Sequence, residues 1–176
     1  MISLLKQLRD RELAPLIPSP NNPAKWLALN LFDRIPVIYA GVSPMEAVAL
    51  RWRAQIAENA KQLGWSHLFP EMNHNEIMGW SHPRRLFPSL RILLLRDRQD
   101  GPRVQRRMEI TQSLIGRQEG VKTSEIWSRG KGLLARLFSL IYIGDFVSYY
   151  LAILNGTDPT PVGRIEELKR RLAEAT

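Results

Sequence analysis

The chain of 176 residues contains no cysteine and only three histidines, His67, His74 and His82. The first absence excludes disulfide staples, thiolate metal sites and a cysteine nucleophile, and it fits a reducing cytoplasm, where the protein is expected to reside. The scarcity of histidine leaves a poor set of metal ligands. With no thiolate and no zinc-type spacing from His74 to His82, no metal and no other cofactor is expected. Acidic charge is also short: 17 Asp and Glu stand against 25 Lys and Arg, a formal net charge of +8. That excess predicts attraction to anions, whether nucleic acid, acidic lipid or sugar phosphate. Arginines at Arg84, Arg85, Arg91, Arg96, Arg98, Arg103, Arg106 and Arg107 are scattered without interleaved aromatics, so nucleic acid is not the expected partner.

Long apolar runs are few. The N-terminal residues Met1 to Asp10 are broken by charge too early for a signal-peptide core. The stretch Leu133 to Leu154 is long enough to cross a membrane, but Arg136 and Asp145 lie inside it, and ionisable groups are costly in lipid. Burial in the core of a dimer is the expected fate of this helix, and no membrane partner is expected. The chemistry must come from carboxylates, imidazoles, amines or hydroxyls.

Met1 to Leu13 reads as a short amphipathic helix, stopped by the proline-rich connector from Pro15 to Pro23. A helix over 24–32 precedes the apolar, β-branched run Ile35 to Gly41, which has the pattern of a strand buried on both faces. Ser43-Pro44 starts the next helix, whose apolar residues Met45, Val48, Ala49, Trp52, Ile56, Ala60 and Leu63 recur at helical spacing beside a polar stripe of Arg51, Gln55, Glu58 and Gln62. Further strands are expected at 66–69, 91–96 and 121–127. Helices are expected at 102–119, with Gly120 as a stop, at 132–154 and at 161–173. Strands alternating with helices predict an α/β fold: a central parallel sheet flanked by helices in three layers.

Three phrases occur together: Gln55-Ile-Ala-Glu58-Asn-Ala-Lys61; Pro70-Glu-Met-Asn-His74-Asn-Glu-Ile-Met-Gly-Trp80; and Leu154-Asn-Gly-Thr-Asp-Pro-Thr-Pro-Val162, followed by Ile165-Glu-Glu-Leu-Lys169. In these the chain resembles the bifunctional phosphoglucose/phosphomannose isomerases, which are built from two sugar-isomerase (SIS) domains. The resemblance runs from about Asn21 to Leu172 and covers only the second of the two domains. It divides the chain into an N-terminal helix and linker, 1–23, and a C-terminal SIS domain, 24–176. In the family the first domain carries a Ser/Thr-rich loop that grips the sugar phosphate. No such loop is evident here, so a separate first SIS domain is an expected partner.

The resemblance implies metal-independent interconversion of fructose 6-phosphate with glucose 6-phosphate and mannose 6-phosphate through a cis-enediol. That chemistry needs an acid/base to open the sugar ring and a carboxylate to move a proton between C2 and C1. Matching the family's pattern, Glu58 would be the carbon base and His74 would serve ring opening, reaching into the site of a second copy and so implying a homodimer. Lys169 would stabilise the enediolate, and Thr160 would contact substrate. Glu76 could orient His74, hold the loop, or pair with Arg84 or Arg85; His67 and His82 read as structural. Two readings without turnover stay open beside this one: a sugar-phosphate-binding SIS module, and a dimerisation domain.

Overall fold

The computed structural model describes residues 1–175. Helix α1 (Ile2–Leu8) continues into a wider π-helical turn, Arg9–Leu13, and α2 spans Pro23–Leu31. Strand β1 (Ile35–Gly41) is followed by α3 (Met45–Ala60), β2 (Trp65–Phe69) and the short helix α4 (Glu76–Gly79). Then come β3 (Leu90–Arg96), α5 (Pro102–Ile115), β4 (Lys122–Trp127), α6 (Leu133–Leu154) and α7 (Gly163–Glu174).

The four strands form one parallel sheet in the order β2-β1-β3-β4, with Tyr39 opposite His67 on one side and Leu94 on the other. The two central strands are apolar at nearly every position because successive side chains enter opposite layers. Ile38, Ala40, Leu93 and Leu95 join α1, α2, α3 and α6 in the larger core. Val37, Tyr39, Ile92 and Leu94 face α5 and the segment after β2, in a smaller core with Phe69, Met72, Trp80 and Met108. This is the expected three-layer arrangement. The N-terminal segment is part of it: Leu8 and Leu13 are fully buried in the larger core, and the Tyr150 hydroxyl of α6 donates to the Leu13 carbonyl.

Buried Asn22 caps α2 by accepting from Lys25 N at 3.0 Å, while its amide donates to the Ala14 carbonyl at 3.2 Å. This closes the connector onto the helix it precedes. The apolar helix α6 packs on α2 and α3 within its own chain, so half of its most apolar stretch is buried without any second copy. Its two charges are paired, Arg136 with Asp97 and Asp145 with Arg51, each at 3.0 Å.

Two boundaries differ from the periodicity. The predicted run of α3 to Leu63 ends at Ala60, because Lys61 takes a left-handed conformation with φ of 55°. Leu63 therefore leaves the core and is 81% exposed. Likewise α5 ends at Ile115 rather than running on to Glu119. Gly120, with φ of 81°, sits in the turn that delivers the chain to β4.

Candidate active site

In a parallel sheet with returning helices, everything that follows a strand starts at one edge, and everything at the end of a helix lies at the other. Glu58 is in the last turn of α3, at the edge where β1 and β3 begin. Polar side chains tie this end of the molecule together. Gln62 Nε2 donates to the carbonyls of Leu31, at 3.0 Å, and Arg34, at 2.5 Å, and Asn155 Nδ2 donates to the Ala60 carbonyl at 2.9 Å.

Beside them lies a groove of roughly 700 Å³ between the end of α3 and the start of α7. Glu58, Lys61 and Leu63 line one wall; Asp158, Arg164 and Ile165 belong to the other. Lys61 Nζ bridges the two, donating to the Glu58 carbonyl and, at 3.3 Å, to that of Pro159. Glu58 is exposed to the groove and free of any ion pair among the described residues. The exposure of Leu63 thus has a consequence: the chain turns out of the helix two residues after Asn59 and lines the groove instead of entering the core.

Thr160 sits on the loop that forms the far wall, and its backbone N–H donates to Asp158 Oδ1 at 2.8 Å. This bond, and then the Thr160 hydroxyl, hold the Asp158 carboxyl below the usual carboxylate range. Lys169 lies further along α7, about 9 Å beyond Gly163 at 1.5 Å per residue. It is exposed and makes no ion pair among the described residues, whereas Arg170 and Arg171 beside it are engaged by Glu167. Glu58 and the loop bearing Thr160 therefore meet at one groove, and Lys169 lies on the helix that leaves it.

His74 is elsewhere. It follows β2 at the finishing edge of the sheet, so within one chain it stands on the order of 15–20 Å from the Glu58 edge by the rise of the strands. The loop that bears it is well fixed. Met72 and Trp80 are buried, and Asn73 Nδ2 donates to the buried Thr111 hydroxyl at 2.8 Å.

Among the described residues Glu76 makes no bond to the His74 ring, and it does not pair with Arg84 or Arg85. Its Oε1 accepts from the Tyr39 hydroxyl, and its Oε2 lies 2.8 Å from His67 Nδ1. Trp80 Nε1 in turn donates to the Tyr39 oxygen at 2.9 Å. The physical reason is that Tyr39, wholly buried on a central strand, needs a partner for its hydroxyl, and the acidic loop supplies it. Burial, with the adjoining Glu76 charge, drives the Tyr39 pKa far above its ordinary value, so the phenol stays a donor.

Sequence reasoning missed Tyr39 and gave His67 no partner. A tyrosine inside a buried apolar strand was the available signal. At the same edge Asp97, 3% exposed, accepts from Arg136 Nε and from the Ser128 hydroxyl at 2.9 Å. Nearby Asp100 has its pKa raised by burial, offset in part by the hydrogen bond its carboxylate accepts from the Asp97 backbone N–H. Among the described residues no three of the His, Asp and Glu side chains converge as a metal site.

The family model described as the bacterial phospho-glucose isomerase C-terminal SIS domain matches residues 20–172. A bifunctional phosphoglucose/phosphomannose isomerase from Caldicellulosiruptor bescii is 44% identical over 174 residues, which is 98% of this chain and 50% of that protein. The enzyme of that name from Aquifex aeolicus is 38% identical over 157 residues, 89% of this chain and 48% of the other. The chain thus spans about half the length of the curated relatives it matches. Among solved structures, a glucose-6-phosphate isomerase like protein from Thermus thermophilus superposes with a TM-score of 0.76 at 25% identity, over 93% of this chain and 54% of that one. Tagatose-6-phosphate ketose/aldose isomerase from Escherichia coli, at 10% identity and a TM-score of 0.53 over 76% of this chain and 40% of that one, shares the fold.

Proposed function

Since the chain belongs to the family of bacterial phospho-glucose isomerase C-terminal SIS domains, we propose that it is the catalytic half of an aldose–ketose isomerase. Its substrates are fructose 6-phosphate, glucose 6-phosphate and mannose 6-phosphate, interconverted in the cytoplasm through a cis-enediol and without a metal. Glu58 takes the proton from C2 and returns it to C1. His74 of a second copy opens the ring by moving a proton at the ring oxygen. Lys169 offsets the charge that develops on the enediolate oxygens, and Thr160 contacts the substrate.

The observation that carries this reading is the placement of Glu58. Among the described residues it is a carboxylate without an ion-pair partner, on the wall of a groove whose other charged lining includes Lys61 and Arg164. The distance of His74 from that groove supports its use in a neighbouring copy, because one chain cannot bring both groups to one sugar. The phosphate is to be held by a first SIS domain, whose binding energy keeps the reacting carbons in place.

The test is conversion of fructose 6-phosphate to the two aldose phosphates in the presence of chelator. It compares the chain alone, the chain with a first SIS domain added, and Glu58→Gln in both. Turnover that depends on the added domain and falls by about 10²–10⁴-fold in Glu58→Gln supports the reading. Binding of sugar phosphate with no turnover in any mixture would instead favour a sensing module.

A further inference from the structure

The loop between β2 and β3 presents an exposed imidazole whose neighbours in sequence are all fastened down. Among the described residues none bonds to the His74 ring, and the backbone N–H of His74 donates to the Glu71 carbonyl at 2.9 Å. One residue before it, Asn73 is bonded to the Thr111 hydroxyl of α5, with Arg107 Nη1 at 3.5 Å from its Oδ1. Two residues after it, Glu76 is held by Tyr39 of β1 and His67 of β2. Four residues further on, Trp80 donates to the same Tyr39 oxygen. The loop is thus bonded to β1, β2 and α5, while the imidazole between the anchors meets no described group that would satisfy it.

A surface loop with no task has no need of a carboxylate that draws a buried tyrosine and a half-buried histidine into one network. Such a network holds a short segment in one arrangement, because moving the loop would leave the Tyr39 hydroxyl and the Trp80 N–H unpaired in the core. We propose that Glu76 and Tyr39 are positioning residues, which hold the loop so that His74 is displayed in one orientation before it meets the site of another copy. Asn73 sets the other end of the same short display. This inference rests on the assignment of His74 to ring opening and extends it. The loop is pre-organised by the sheet of the chain that donates the imidazole, and not by the chain that receives it.

Acting through His74, these residues should change turnover more than substrate affinity. In the preparation that turns over fructose 6-phosphate, Glu76→Gln and Tyr39→Phe are each expected to lower kcat roughly ten- to a hundredfold with KM nearly constant, the loss that goes with displacing a reacting group by about 1 Å. The deciding readout is the double-mutant cycle with His74→Ala. Neither substitution should lower kcat further once the imidazole is gone.

If both lower kcat by the same factor with and without His74, the network acts on something else and the inference falls, while His74 keeps its role. If His74→Ala turns over as well as the unmodified protein, the assignment of His74 fails, and the inference fails with it. A lower melting temperature with unchanged kcat below the transition would reduce the network to stability alone, which also overturns the proposal. Tyr39→Phe guards against a misfolded Glu76→Gln variant, since it removes one hydroxyl and leaves the Glu76–His67 pair in place.

Discussion

Gly144 lies in the middle of α6, where glycine ordinarily weakens a helix, and replacing it by alanine should nevertheless destabilise the protein. A Cβ built on Gly144 would stand 2.5 Å from both Cε2 and Nε1 of the Trp52 ring. Trp52 is fully buried on α3, and its Nε1 donates to the Leu140 carbonyl of α6 at 2.9 Å. The ring cannot retreat without losing that bond and disturbing the Ile56 and Val48 side chains of the same core. Overpacking of this kind costs about 1–3 kcal/mol, and a weakened indole bond adds roughly 1 kcal/mol. Against this, alanine gains about 0.5–1 kcal/mol of helix propensity over glycine.

The net loss is therefore about 1–3 kcal/mol, equivalent to a fall in Tm of roughly 2–12 °C for a chain of this size. Urea unfolding followed by tryptophan fluorescence would read it directly, with Gly163→Ala as the control. Gly163 begins α7 with nothing within 4 Å of its built Cβ, so alanine there should be neutral or slightly stabilising. If Gly144→Ala left the midpoint unchanged or raised it, close packing of α6 on α3 through the Trp52 ring would be refuted.

Arg136→Met should cost about 3–5 kcal/mol in the same unfolding assay, because it strands the buried Asp97 carboxylate with only Ser128 and the Gln99 N–H as partners among the described residues. Asn22→Ala should cost about 1–2 kcal/mol, as the cap of α2 and the bond to Ala14 are lost together. Asp100→Asn should stabilise at neutral pH. Burial raises the folded pKa of Asp100 above its unfolded value, so ionisation on going to neutral pH opposes folding. That gain over the unsubstituted chain should shrink as the pH falls through the carboxylate range and vanish once Asp100 is protonated in both states. Denaturant midpoints across that range check it.

Much of the fold was legible because its two periodicities are plain. The run Ile35–Gly41 and the run Leu90–Arg96 are apolar at consecutive positions because both faces of the sheet are covered, and α3 shows its buried side at Met45, Val48, Trp52 and Ile56. The end of α3 was not legible: the spacing continues to Leu63, and only the left-handed turn at Lys61 takes that residue out of the core. Pairing was the other hidden layer. Tyr39 and Glu76 are 37 residues apart, and nothing local to either predicts their meeting; His74 and the arginines at 84 and 85 were the partners that the neighbouring sequence offered. For the candidate site, sequence motifs picked out Glu58, His74, Thr160 and Lys169, whereas their distribution over opposite edges of the sheet follows from strand order and direction.

That distribution makes the central claim testable by mixing. Glu58→Gln and His74→Ala variants, each expected to be nearly inactive, would be combined with a first SIS domain present and under conditions that exchange subunits, and fructose 6-phosphate isomerisation measured before and after. If each site takes Glu58 from one copy and His74 from another, mixed dimers carry one intact site, and equal mixing should restore about a quarter of the unmodified activity. Mixtures that exchange subunits yet stay as inactive as their components would contradict a shared site.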